Sequence, residues 1–194
     1  MHKQYYFDSH DNFNEAMKTF IKDDKIDFPL YHRHLGNAIR FNFEDFSAHD
    51  TYIMASKILA YIFNEREFFY CCYGDIGIPK KRLKRYLKGI PNKPHCIEYS
   101  SPNNDEDFQY EFDNISFVQV YQKTFNFNRF AKDISYGKGR ENEQFLISIK
   151  EKIAVHFYDC RGIDIVSLGD NSFLESLQSH FHQYPHWCEK TKKN

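Results

Sequence analysis

Net charge is nearly absent from this 194-residue chain: 26 Lys plus Arg stand against 27 Asp plus Glu, a formal −1. Duplex-binding domains ordinarily carry a basic excess, so bulk charge gives no argument for a nucleic-acid partner. Gly and Pro are scarce, at 8 and 6 residues, which argues against a disordered or loop-dominated chain. No segment approaches the roughly 20 apolar residues that span a bilayer. Met1-His2-Lys3-Gln4-Tyr5-Tyr6-Phe7 has no apolar stretch behind its lysine, so the expectation is a soluble, unexported protein. The five cysteines, Cys71, Cys72, Cys96, Cys160 and Cys188, are odd in number and lack a C-x-x-C spacing. Adjacent cysteines bridge each other poorly, so a reducing cytoplasm is the natural setting. Also missing are G-x-G-x-x-G, the P-loop, G-x-S-x-G and H-E-x-x-H.

Aromatic residues are abundant: 20 Phe and 14 Tyr beside one Trp. With this length they suffice for a substantial core without staples, and the expectation is a single α+β domain over 1–194. Helical periodicity places Phe13, Met17, Phe20 and Ile21 on one face of a helix over 12–23. Alternation at Ile39, Phe41 and Phe43 predicts a half-exposed strand over 37–43. A helix from an Asp50 cap to about Asn64 and a central strand over 67–73 follow. The middle predicts a strand at 96–100 and a hairpin of 107–112 with 115–124, turning at Asp113-Asn114. A short helix over 126–135 precedes a flexible joint at Gly137-Lys138-Gly139. Three strands, 144–149, 153–158 and 162–168, have hairpin-length connections and form an antiparallel meander. Ser172-x-x-Glu175 reads as a capping box opening a last helix, which Pro185 ends.

Charge cancels overall but is segregated along the chain. Residues 80–95 hold 7 basic and no acidic groups, whereas 96–128 hold 1 basic and 6 acidic. Together they form a variable charged insert over about 79–128. The basic run, with Leu83 and Leu87 inward, reads either as a solvated helix or as a phosphate-binding one over 80–88 that would make an RNA-binding module through Lys81, Arg82, Lys84 and Arg85. The acidic run interleaves Asp105, Glu106, Asp107 and Glu111 with Tyr110, a surface suited to a basic protein partner; these five residues are the candidate contacts. Its bland reading is an acidic loop and edge hairpin.

Candidates for chemistry are few. His180 and His182, with His186 and Cys188 beyond them, contain zinc-type ligands. On a helix, residues i and i+2 point about 200° apart, so a shared metal site is disfavoured; His32 and His34 form a second such pair. Asp159, Arg161 and Asp164 form another polar concentration, whose two carboxylates could be metal ligands or an acid/base pair in a metal-dependent hydrolase or toxin enzyme together with His180 and His182. The structural reading makes Asp159 and Gly162 turn residues, with Arg161 bonding a neighbouring carboxylate. That reading is preferred: no catalytic residue, metal or cofactor is assigned, and a nucleic-acid partner is disfavoured.

The run Val155-His156-Phe157-Tyr158-Asp159-Cys160-Arg161-Gly162-Ile163-Asp164-Ile165, with Tyr184 and Trp187 some twenty residues on, resembles the C-terminal signature of a domain family of unknown function associated with Rhs-type polymorphic toxin loci. Gly36-Asn37-Ala38-Ile39-Arg40-Phe41 is similar to an earlier strand of that family. Cys160 replaces a more usual Asp, and Asn42-Phe43 a more usual Glu-Leu. The resemblance covers about 28–75 and 143–188 and implies a cytoplasmic immunity protein, of the type VI secretion kind, that binds a cognate toxin. Gly36, Arg40, Asp159, Arg161, Gly162, Asp164 and Trp187 would then be structural motif residues.

Overall fold

The structure, a computed structural model, describes residues 37–64, 67–73, 84–87, 95–98, 114–138, 143–148, 150–157, 160–167 and 171–190. Their strands are β1 (Asn37–Asn42), β2 (Glu67–Tyr73), β3 (His95–Glu98), β4 (Asn114–Tyr121), β5 (Glu143–Ser148), β6 (Ile153–Phe157), β7 (Gly162–Ser167) and β8 (His186–Lys190). They form one sheet in the order β3-β4-β2-β5-β6-β7-β1-β8. Every ladder is antiparallel. The α+β expectation holds, and so does the meander, which is β5-β6-β7.

Helix α1 (Ala48–Ile62) connects β1 to β2, which lie four positions apart in the sheet. Four strand spacings are about 19 Å, and a 15-residue helix is about 22 Å long. The helix is therefore long enough to cross the sheet, and it lays Met54, Ala55, Ile58, Leu59 and Ile62 into the core. Its cap is Ser47, not Asp50. The Ser47 hydroxyl accepts from the Asp50 N–H at 3.2 Å and donates to Asp50 Oδ2 at 2.6 Å, so Asp50 occupies the third position of the capping pattern.

Helix α2 (Phe127–Ser135) is capped by Asn126, whose Oδ1 accepts from the Arg129 N–H. Gly137, expected as a flexible joint, instead adopts φ 68° and closes the helix. Its N–H donates to Ile134 O, and that of Lys138 to Asp133 O. This is the double bond pattern that a left-handed glycine after a helix supports. Helix α3 (Ser172–His180) starts one residue earlier than a Ser172 cap would place it. Asn171 holds the cap position and makes no side-chain cap bond.

One sheet face carries Ile39, Phe41, Ile163, Ile165, Ile153, Val155, Leu146, Phe68, Val118 and Val120, which join the helices in a single cluster. Phe130 of α2 meets Phe157 edge-on at 5.1 Å, while Phe181 beyond α3 meets Phe41 at 6.0 Å. The opposite face is buried as well: Ala38, Phe145, Ile147, Ala154, His156, Asp164 and Val166 are each at most 2% exposed. Burial of this face reaches β1 at Ala38 but leaves Arg40 and Asn42 partly exposed, as the half-exposed reading of β1 expects. It explains why β6 and β7 are buried at every position rather than at alternate ones.

Several expectations meet the limits of the described residues. The helix over 12–23 and residues 107–112 lie outside them. The expected hairpin at Asp113-Asn114 thus rests on residues outside the described ones; its described strand, β4, pairs with β2 on one side and β3 on the other. Within the basic run, residues 84–86 are helical and Leu87 bridges Phe125.

Candidate functional site

Two polar constellations are built into this frame. The first crosses the sheet as one row, on the face away from the three helices. Phe145 of β5 is registered with His156 of β6, His156 with Asp164 of β7, Asp164 with Arg40 of β1, and Arg40 with Trp187 of β8. Directly opposed residues lie side by side on adjacent strands, so five strands contribute to one line. His156 is stacked on Phe145, with ring centroids 4.3 Å apart and planes 9° from parallel. Arg40 Nη1 lies 3.6 Å from Asp164 Oδ1; the arginine side chain is 24% exposed and the aspartate 3%.

Gly162 completes this row. A Cβ there would stand 2.7 Å from the Phe41 carbonyl oxygen and 3.4 Å from Arg40 Nε. Only a residue without a side chain lets β1 approach and the guanidinium pass over β7. Gly162 is thus the first residue of a strand, not a turn residue, and the carboxylate of Asp164 is paired from β1 by Arg40. Arg161 is exposed, and its carbonyl accepts from the Phe43 N–H at 2.6 Å. Gly162→Ala should lower unfolding stability by about 1–3 kcal/mol, measured by urea denaturation. An unchanged midpoint would show that β1 can move aside freely.

The second constellation is centred on Asp133 of α2, which is 2% exposed. Arg85 Nη2 donates to its Oδ1 at 3.2 Å, Arg129 Nε lies 3.3 Å from the same oxygen, and the Tyr86 hydroxyl donates to Oδ2 at 3.2 Å. Tyr86 is itself buried against Phe125 and Phe130. A carboxylate placed in the core must be met by charge-assisted donors, and here they come from α2 itself and from residues 85 and 86. The basic run is thereby fastened to the helical layer through Arg85, Tyr86 and Leu87.

The histidines near the C-terminus are dispersed among different contacts. His180 stacks on Tyr61 of α1 at 4.4 Å. His182 Nδ1 is 2.9 Å from Ser179 O, and His186 Nδ1 is 2.8 Å from Tyr184 O. Among the described residues no three His, Cys, Asp or Glu side chains converge as metal ligands, and no helix is long and apolar enough to cross a membrane.

A domain of unknown function, DUF3885, matches residues 13–190. The chain belongs to the DUF3885 family. That match begins upstream of β1 and ends on the last residue of β8, so it includes every strand of the sheet. No curated protein and no solved structure matches the chain.

Of the expected motif residues of this DUF3885 chain, Arg40, Gly162 and Asp164 are brought together, and Trp187 holds the register position beside Arg40. Gly36 and Asp159 lie outside the described residues, as do His32, His34 and the candidate contacts Asp105, Glu106, Asp107, Tyr110 and Glu111. Sequence reasoning missed Asp133, His156 and strand β8. Asp133 had a usable signal: a lone acid among Arg129, Lys132 and Lys138, placed four residues after an arginine on a helix. The strand over 186–190 had little, since Pro185, His186 and Lys190 give no clean alternation.

Proposed function

We propose that this DUF3885 protein is an immunity protein: in the bacterial cytoplasm it binds a cognate toxin domain, of the Rhs or type VI secretion kind, and occludes its active site. The observation that supports this reading best is that the motif residues account for one another through packing. Gly162 admits the Arg40 guanidinium, and Arg40, 24% exposed at the side chain, pairs with the buried carboxylate of Asp164. A motif that builds a sheet suits a rigid scaffold for recognition, where affinity comes from a preorganised surface.

The proposed toxin contacts are Asp105, Glu106, Asp107, Tyr110 and Glu111, carboxylates and a ring complementary to a basic active site. A specific inhibitor of this kind buries about 1,200–2,000 Å² in total. Co-expression with the toxin domain encoded beside this gene should restore growth and yield a co-purifying complex. Unrelieved toxicity with no complex would sink the proposal.

A further inference from the structure

Both guanidiniums drawn to Asp133 remain 40% exposed at the side chain. One carboxylate cannot neutralise two arginines, so a positive charge in excess is held in a fixed position at the surface. The surroundings add to it. Residues 84–87 and 114–138 contain six cations, Lys84, Arg85, Lys123, Arg129, Lys132 and Lys138, against the single buried carboxylate of Asp133. At 3.6 residues per turn, Asn128, Arg129, Lys132 and Tyr136 fall within an arc of about 100°, while Phe127, Phe130, Ala131 and Ile134 turn into the core. Tyr136 is 50% exposed, one of two large hydrophobic residues left at the surface among the described residues.

We infer that this outward face of α2, Arg129, Lys132 and Tyr136 beside Arg85, is a docking surface for a carboxylate-bearing patch of the same toxin domain, outside the basic active site that the acidic segment would meet. The inference rests on the reading that the protein acts by binding another protein, and it adds a surface of opposite sign to the acidic segment. Arginine and tyrosine carry interface energy out of proportion to their number. The Asp133 clamp removes part of the ordering cost that free arginines would meet on binding. Complementary charge then selects a partner presenting carboxylates. A nucleic acid fits less well: the whole chain carries −1, so beyond a Debye length of about 8 Å a polyanion feels little attraction.

The test uses the full-length protein and a catalytically inactive form of the toxin domain encoded beside its gene. The double variant Lys132→Glu/Tyr136→Ala changes two exposed side chains and leaves the Asp133 clamp intact; Arg129→Gln probes the clamp directly. Each should weaken toxin binding by about tenfold or more, and the double variant should keep the wild-type melting temperature. Toxin affinity unchanged in both would overturn the surface while leaving the proposed function standing. Failure of the wild-type protein to bind the toxin would remove both. Unchanged toxin affinity together with loss of a salt-sensitive affinity for single-stranded RNA would reassign the surface to nucleic acid and likewise overturn the inference.

Discussion

Phe130→Ala should reduce the free energy of unfolding by about 3–5 kcal/mol, the range for deleting a fully buried aromatic side chain. Phe130 is 0% exposed and makes edge contacts to Tyr86 at 5.3 Å, Phe125 at 5.4 Å and Phe157 at 5.1 Å. Those partners belong to residues 84–87, to the entry of α2 and to β6, so one ring joins three parts of the molecule. Its removal costs the transfer of the ring and also leaves a cavity that three differently supported neighbours would have to fill together. Phe130→Leu, which restores much of the volume, should recover more than half of the loss. Urea titration reads both variants. A loss below about 1 kcal/mol for Phe130→Ala, the usual scale of an average substitution, would mean that the helical layer repacks easily.

Asp133→Ala should cost about 3 kcal/mol, the lower end for breaking a buried charge pair. The lower end applies because water screens the half-exposed arginines. The substitution takes away the carboxylate shared by Arg85 and Arg129 and the acceptor of the Tyr86 hydroxyl. Two guanidiniums then face each other without a counterion. Asp133→Asn keeps an acceptor for Tyr86 and should lose less than Asp133→Ala. Thermal denaturation ranks the pair, and amide exchange at residues 84–87 should accelerate in Asp133→Ala. Stability equal to wild type, with unchanged exchange, would show that the basic run is held by Tyr86 and Leu87 alone.

Local pattern carried much of this fold. The broad apolar face of Ala55, Ile58, Leu59 and Ile62 located α1. Asn126 marked the start of α2, and the short turns at 150–152 and 159–161 located the meander. Caps were less legible, because Ser47 and Asp50 are both competent N-cap residues and only backbone geometry separates them. Burial was the least legible property. Alternation at Ile39, Phe41 and Phe43 suggested one wet face; Arg40 is indeed 24% exposed at the side chain, but its partner Asp164 is a polar residue that sits inside. Of the candidate site, Arg40, Gly162 and Asp164 were picked out by family resemblance. Their reason for being together was not, since it depends on the register of β1 with β7.

The sequence by itself determined the α+β class, the positions of the three helices and the separation of basic from acidic segments, because these follow from nearest-neighbour periodicity and composition. Tertiary structure alone decided three other things: that β1 inserts between β7 and β8, that His156, Asp164, Arg40 and Trp187 share one row, and that Arg85 meets Asp133 across 48 residues of chain. Strand order and the pairing of a buried charge are fixed by contacts between distant segments. Such contacts depend on which surfaces can be buried together, and no local pattern carries that information.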